Sequence, residues 1–298
     1  MNATLFISTV LIWGTTWIAI AFQVGPVPVV VSVFYCFATA GLLFLLVLAM
    51  VGKLTVPERR HRAWVVAQAL CLFSLNFICF YTAAADIPSG LISVVFSLAT
   101  VFNAFNARLF FGERITSRAL LASAIGVTGL VLLLGAELSL DDPWGTLRGI
   151  GFAALGTMLF SLGNMVSRRN TAAGLPTVNA NAWGMACGAI ILMGIIGISG
   201  APVVAPPDAV YMAAMLYLAV VGSIIGFTTY LLLVARIGAS QAAYATVLFP
   251  IVALTISTFA EGYVWTWVKG LGGLAGACRQ CRDVHAGRNL LKPLAEGS

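Results

Sequence analysis

The chain has 298 residues, 60% of them hydrophobic and only 9% charged, with a mean hydropathy of +1.00. A soluble domain carries about 25% charged residues, and a folded chain of this size must still cover its surface with polar groups. The composition is that of an integral membrane protein, and it excludes disorder, a secreted disulfide scaffold and a nucleic-acid module. The net charge of +6 matters here through its placement along the chain.

A helical span needs about 20 apolar residues. Punctuated by charge, Pro and Gly, the sequence offers nine such runs: 5–22, 29–51, 64–84, 89–110, 119–135, 149–166, 178–199, 209–234 and 241–260. They are continuous, without the alternation of a membrane barrel, so the chain is expected to be all-α. Residues 1–6 carry no Lys or Arg, so the first run reads as a retained span rather than a cleaved signal. Links are short, as at 23–28 and 86–88, and leave no room for a soluble domain.

The charges alternate from link to link. Lys53, Arg59, Arg60, Arg62, Arg108, Arg114, Arg118, Arg168, Arg169 and Arg236 fall on one set of links, with only Glu58 and Glu113 as acids. The opposite links hold Asp86, Glu137, Asp141, Asp142, Asp208 and Glu261, with Arg148 as their one base. By the positive-inside rule the N-terminus lies in the cytoplasm. Arg outnumbers Lys 13 to 3, a usage of GC-rich bacterial genes, which makes the inner (plasma) membrane the expected location.

An internal repeat is visible. Phe111-Gly112-Glu113 closes one run, and Phe259-Ala260-Glu261 closes another 148 residues later. Trp13-Gly14 at the middle of the first span has a counterpart in Leu162-Gly163 of the sixth. Five spans per unit is an odd number, so the second copy enters the membrane upside down, an architecture of many secondary transporters. The expected organisation is a first five-helix repeat over 1–136, a second, inverted repeat over 137–267 with four recognisable helices, and an atypical basic tail over 268–298.

That tail stands where a tenth span belongs. It holds five basic residues and two acids, and Lys269, Arg279, Arg282, Asp283, His285 and Arg288 all fall within the expected helix. Each Arg or Asp at a helix centre costs roughly 2.5–3.5 kcal/mol on insertion scales. The expectation is that the tenth helix is lost, its place taken by a segment read out of frame, which sequencing of the gene through this stretch tests. Cys278-x-x-Cys281-x-x-x-His285 offers three metal ligands without a fourth, a poor structural zinc site, and no metal is expected.

No catalytic constellation is present. His61 and His285 are the only histidines, no Asp, Glu, Lys or Arg occupies the middle of the nine runs, and GxSxG, HExxH and Walker A patterns are missing. An intramembrane hydrolase or an ATP-driven pump needs such groups, so no enzyme and no cofactor are expected. Glu113 and Glu261 read as helix-end anchors, with Arg114 or Arg118 as partners for the former. What the spans do contain is amides and rings. Asn in hydrocarbon needs a partner, so it faces the bundle or a wet cavity. Aromatic belts sit at span ends, so mid-span Trp13 reads as cavity lining or core, and mid-span Pro250 removes a helical hydrogen bond. Trp13, Trp17, Asn76, Tyr81, Phe96, Thr100, Phe160, Ser161, Phe227, Tyr230 and Pro250 are the candidate substrate-binding residues, around a neutral cavity suited to a small molecule with an aromatic or apolar body. Gly184-x-x-x-Gly188 and Gly222-x-x-x-Gly226 let helices approach closely.

The start Leu11-Ile12-Trp13-Gly14-Thr15-Thr16-Trp17, the paired Phe111-Gly112-Glu113 and Phe259-Ala260-Glu261 and the short loops resemble the EamA-like branch of the drug/metabolite transporter superfamily. The resemblance runs from about residue 5 to 267. It implies ten helices in two inverted five-helix repeats, with alternating access to a central cavity framed by helices one, three, four, six, eight and nine. Within the family the chain looks most like the YddG-type exporters of aromatic amino acids, so the implied partners are an amino acid substrate and the lipid bilayer. One departure is Cys36, in Tyr35-Cys36-Phe37, where members commonly carry Arg before the Phe. Cys187 occupies a comparable place in the second repeat, and a disulfide between the two requires Cα atoms within about 7 Å. Two rival readings stay open: a transporter of another metabolite or drug class, and a non-transporting membrane scaffold with a packed interior.

Overall fold

The computed structural model describes residues 2–115, 128, 142–242 and 244–262. The run expected as a fifth span (119–135), residue 128 apart, and the tail (268–298) lie outside these residues. Among the described residues every regular element is helical. In chain order they are α1 (Asn2–Ala21), α2 (Val29–Met50), α3 (Arg59–Leu72), α4 (Leu75–Ala84), α5 (Ser89–Phe96), α6 (Ala99–Phe111), α7 (Pro143–Ala172), α8 (Thr177–Ser199) and α9 (Ala209–Tyr217). A π-helical segment (Leu218–Phe227), α10 (Thr228–Ile237), α11 (Ala239–Ala242) and α12 (Ala245–Ala260) follow.

Among the described residues seven segments are long and apolar enough to cross a membrane: α1, α2, α3 with α4, α5 with α6, α7, α8, and α9 through α10. The outward surface fits that environment. Ile198, Phe259 and Met50 are 91%, 86% and 83% exposed, and lipid is the only solvent in which a helix gains nothing by burying them.

Helix ends follow local chemistry. Asp142 caps α7, accepting from Gly145 N at 2.9 Å with Pro143 at the first helical position. Asp208 caps α9 by accepting from Tyr211 N at 2.7 Å. α6 and α8 stop at left-handed Gly112 and Gly200.

Three spans expected as single helices are interrupted. The run 64–84 breaks at Phe73–Ser74, where Ser74 Oγ turns back to donate to Ala69 O at 2.9 Å and Leu70 O at 3.2 Å. A serine that feeds its hydroxyl to the preceding turn competes with the backbone ladder and bends it. The run 89–110 breaks at Ser97–Leu98, where Ser97 Oγ donates to Val94 O at 2.6 Å. The run 241–260 divides into α11 and α12, of which only Leu248–Ala260 forms a shorter apolar stretch. Pro250 produces no break: it lies inside α12, which continues on both sides of it.

α2 packs along α8, and Gly41 sets their separation. A Cβ added there would sit 2.7 Å from Ala186 N and 2.9 Å from Ala186 Cα, which are backbone atoms with nowhere to move. Small residues at such crossings supply the van der Waals contact that holds membrane helices together. Gly41→Ala is therefore expected to lower stability by about 1–3 kcal/mol, the usual cost of overpacking. Thermal unfolding in detergent reads this directly, and an unchanged midpoint would show that the two helices slide apart freely.

Polar contacts gather at the two ends of the bundle. At one end Arg168 pairs with Glu113 at 2.5 Å and its guanidinium lies 4.2 Å over the Phe111 ring. Glu113 thus takes its partner from α7 rather than from Arg114. Asn179 there clamps the α2–α3 loop, accepting from Thr55 N at 2.8 Å and donating to Lys53 O at 3.2 Å. At the other end Arg148 forks onto Asp86, with contacts at 2.9 and 2.5 Å. Also there, Glu261 accepts from Ser89 N at 3.3 Å and from Ser89 Oγ at 2.5 Å, capping α5 from another element.

Candidate functional site

Between these polar ends lies a cavity at mid-depth. α1 contributes Trp13, Thr16, Trp17 and Ile20, a stripe at i, i+3, i+4 and i+7 that an α-helix places on one face. The first turns of α4 add Asn76, Phe77 and Phe80, the end of α5 adds Phe96, and the middle of α7 adds Phe160. The fifth element of the wall is the π-helical segment, with Leu218, Gly222, Ser223 and Phe227. Leu218 to Gly222 is four residues and Gly222 to Phe227 is five. Nine residues are two and a half turns at about 3.6 residues per turn, so a regular α-helix would put Leu218 and Phe227 on opposite faces. The wider i→i+5 winding brings them onto one.

Aromatic rings make up most of the wall. Trp13 stands at its centre, with ring centroids 4.7 Å from Tyr230, 5.2 Å from Phe227, 5.6 Å from Phe160, 6.3 Å from Phe96 and 6.4 Å from Phe249. Trp17 stacks on Phe249 at 5.9 Å and meets Phe80 and Phe96 edge-on at 5.3 and 5.5 Å. Each such pair contributes about 0.5–1.5 kcal/mol beyond area burial. Trp13 Nε1 donates to Gly222 O at 3.3 Å, and Gly226 permits the approach, since a Cβ there would lie 2.6 Å from the same nitrogen. The cavity volume is about 40 Å3, room for about three water molecules at roughly 10–15 Å3 each.

Two cavity-lining side chains have polar atoms without a hydrogen-bond partner among the described residues. One is Asn76, 0% exposed, for which both Nδ2 and Oδ1 are unpartnered. The other is Trp17, through Nε1. A buried amide normally finds partners, because leaving it unpaired costs about 1–3 kcal/mol. Around them the lining carries no charge. Ser223 Oγ lies 3.9 Å from Cys36 Sγ beside the cavity. Cys36 and Cys187 are both free thiols, the former in the main core and the latter against Val65, Leu175 and Ala180.

Of the residues singled out from the sequence, Trp13, Trp17, Asn76, Phe96, Phe160 and Phe227 come together around this cavity. Tyr230 backs Trp13 from outside the lining, its hydroxyl accepting from Asn164 Nδ2 at 3.2 Å. Ser161 is turned to Asn106, whose Nδ2 donates to it at 2.9 Å. Tyr81, Thr100 and Pro250 are buried but stand off the lining. Thr16, Ile20, Phe77, Phe80, Leu218, Gly222 and Ser223 line the cavity without having been candidates. Helical spacing from Trp13 and Asn76 would have found Thr16, Ile20 and Phe80.

Known proteins frame this geometry. The chain is 28% identical over 263 residues to the inner membrane transporter YedA of Escherichia coli K12, covering 88% of this chain and 83% of that one. It is 24% identical over 264 residues to the protein PagO of Salmonella typhimurium, covering 87% and 84%. A solved crystal structure superposes with a TM-score of 0.73 over 98% of this chain and 99% of its own, at 18% identity, and so shares the fold. The model of the EamA-like transporter family matches residues 2–135 and again residues 147–278. The chain therefore belongs to the EamA-like transporter family, as a membrane transporter built of apolar helices.

Proposed function

We propose that this transporter exports small metabolites, amino acids with aromatic or apolar side chains foremost, by alternating access through the central cavity. The observation that carries the reading is Asn76, a buried amide with both polar atoms unpartnered, set among rings at the middle of the bundle. Rings accept an apolar body, and the free amide and the Trp17 Nε1 await a polar head. About 40 Å3 holds no amino acid, so the helices must part to load one. The Glu113–Arg168 pair at one end and the Asp86–Arg148 pair at the other are contacts that would break in turn as each side opens.

The same proposal includes two inverted five-helix units, 1–136 and 137–267, with the N-terminus in the cytoplasm. The double family match over 2–135 and 147–278 supports two units, and its second part continues past residue 267. The basic residues Lys53, Arg59, Arg60, Arg62, Arg168 and Arg169 sit at the end of the bundle that would then face the cytoplasm.

The test is flux in proteoliposomes, using labelled Phe with Thr and a sugar as controls, with and without a pH gradient. Saturable Phe flux upholds the reading, and its response to the gradient separates proton coupling from uniport. Equal flux of all three compounds, or none, overturns the substrate assignment.

A further inference from the structure

One end of the bundle carries more positive charge than its own carboxylates balance. Among the described residues the acids there are Glu58 and Glu113, and both are taken: Glu58 pairs with Arg60 at 2.9 Å and Glu113 with Arg168 at 2.5 Å. Arg59, Arg62 and Arg169 have no carboxylate partner among the described residues. Arg59 and Arg62 are exposed, but Arg169 is half-buried. A guanidinium drawn partly out of water without a counter-ion is costly, and an anion offsets that cost.

The surroundings of Arg169 are fixed. Its guanidinium lies 4.2 Å over the Trp64 ring, and Nη1 donates to Asn170 Oδ1 at 3.4 Å. Asn170 Nδ2 in turn donates to Gln68 Oε1 at 3.0 Å and to Trp64 O at 3.4 Å, and Gln68 Nε2 donates to Asn181 Oδ1 at 3.1 Å. Asn170, Gln68 and Asn181 are wholly buried, so this chain of amides ties α7 to α3 and α8 and holds the cation in the seam. Each of these partners is neutral, so the charge of Arg169 stays whole. The outer face of α3 changes character beside it. Arg59, Arg60 and Arg62 are exposed in its first turn, and Ala63, Trp64 and Val66 are exposed next. Cations, then an indole, then apolar side chains is the order of a bilayer from headgroup to acyl chain. Arg60 stands one turn before Trp64 on the same face, and its pair with Glu58 is solvent-exposed and therefore weak.

We propose that the seam between α3 and α7 binds an anionic phospholipid, its phosphodiester on Arg169 with Arg60 as the second cation, and its acyl chains along Trp64 and Val66. A zwitterionic headgroup brings an ammonium into a cluster of arginines and is disfavoured. A free phosphate lacks the chains that the exposed apolar face receives. The site lies on the lipid-facing surface, and it stands whatever the transported substrate is.

The experiment uses the full chain in neutral detergent micelles, with bound lipid counted by native mass spectrometry and the thermal midpoint recorded beside it. The probes are phosphatidylglycerol, phosphatidylcholine with the same chains, and inorganic phosphate. Phosphatidylglycerol is expected to bind at least about tenfold more tightly than phosphatidylcholine and to raise the midpoint, and inorganic phosphate to leave the midpoint unchanged. Arg169→Gln should weaken phosphatidylglycerol about tenfold and Arg60→Gln about fivefold. Arg236→Gln removes an exposed charge at the same end, on α10, and should change binding by less than about twofold. Should Arg169→Gln fail to fold, the exposed Arg60→Gln decides against Arg236→Gln. Equal binding of the two lipids, or a loss in Arg236→Gln as large as in the seam variants, overturns the site and leaves a diffuse basic surface. Inorganic phosphate raising the midpoint as far as phosphatidylglycerol overturns the lipid assignment.

Discussion

Replacing Asn76 by Leu is expected to make the protein more stable and to stop transport. Both amide atoms of Asn76 are buried and unpartnered, and such groups cost about 1–3 kcal/mol relative to an apolar side chain of similar shape. Leu fills the same volume without that cost. A gain of this size raises the midpoint of a chain this long by roughly 2–12 °C, at about 2–4 °C per kcal/mol. Flux should fall at least a hundredfold, because the head of the substrate loses its amide. Stability rising while function falls marks a residue kept for its chemistry rather than for packing. The two readouts are thermal unfolding in detergent and uptake by proteoliposomes. A Leu variant that melts earlier and still transports would make Asn76 interhelical glue, the usual role of Asn in a membrane helix.

Asn76 also shows what a sequence can and cannot reveal here. Its depth was legible: apolar runs of about 20 residues fix the spans, and counting along them places Asn76, Trp13, Phe96 and Phe160 near the middle. Azimuth was legible only where the winding is regular. From Trp13 the α-helical stripe leads to Thr16, Trp17 and Ile20, all of which line the cavity. Ser161 and Thr100 have the right depth but the wrong direction, and depth alone does not separate them from Phe160.

The irregular parts were hidden for a physical reason. The break at Phe73–Ser74 rests on a serine hydroxyl choosing the carbonyls of Ala69 and Leu70, a choice open to any serine in a helix. The π-helical winding of Leu218–Phe227 has no composition of its own, and the four-and-five spacing it needs looks like a poor α-helical face. Pro250 is the converse case. It lies early in α12, where the loss of one backbone bond leaves the helix intact.

Trp13→Ala is the substitution with the largest expected cost to the fold. The indole touches five rings, from α5, α7, the π-helical segment, α10 and α12, and donates to Gly222 O at 3.3 Å. Membrane helices gain little from expelling lipid, so packing of this kind holds them together. Truncating a buried Trp to Ala costs about 3–5 kcal/mol, the spread depending on how far the site collapses. The neighbours here are rings in contact with one another, as at Phe96–Phe160, 4.7 Å apart, and they cannot follow the lost side chain without parting. A void is therefore expected, with a midpoint lowered by roughly 6–20 °C at about 2–4 °C per kcal/mol and flux lost. The void has the shape of an indole, so added indole should restore part of the midpoint, as apolar ligands fill dry engineered cavities. Trp13→Phe should fall between the two, keeping ring contacts but not the bond to Gly222. Indole that shifts the unaltered protein as much as the Ala variant would place its binding elsewhere. An Ala variant that melts with the unaltered protein would mean that the rings close over the gap. In that case the cluster is a deformable gate rather than a fixed wall, and Trp13 belongs to the moving part of the transporter.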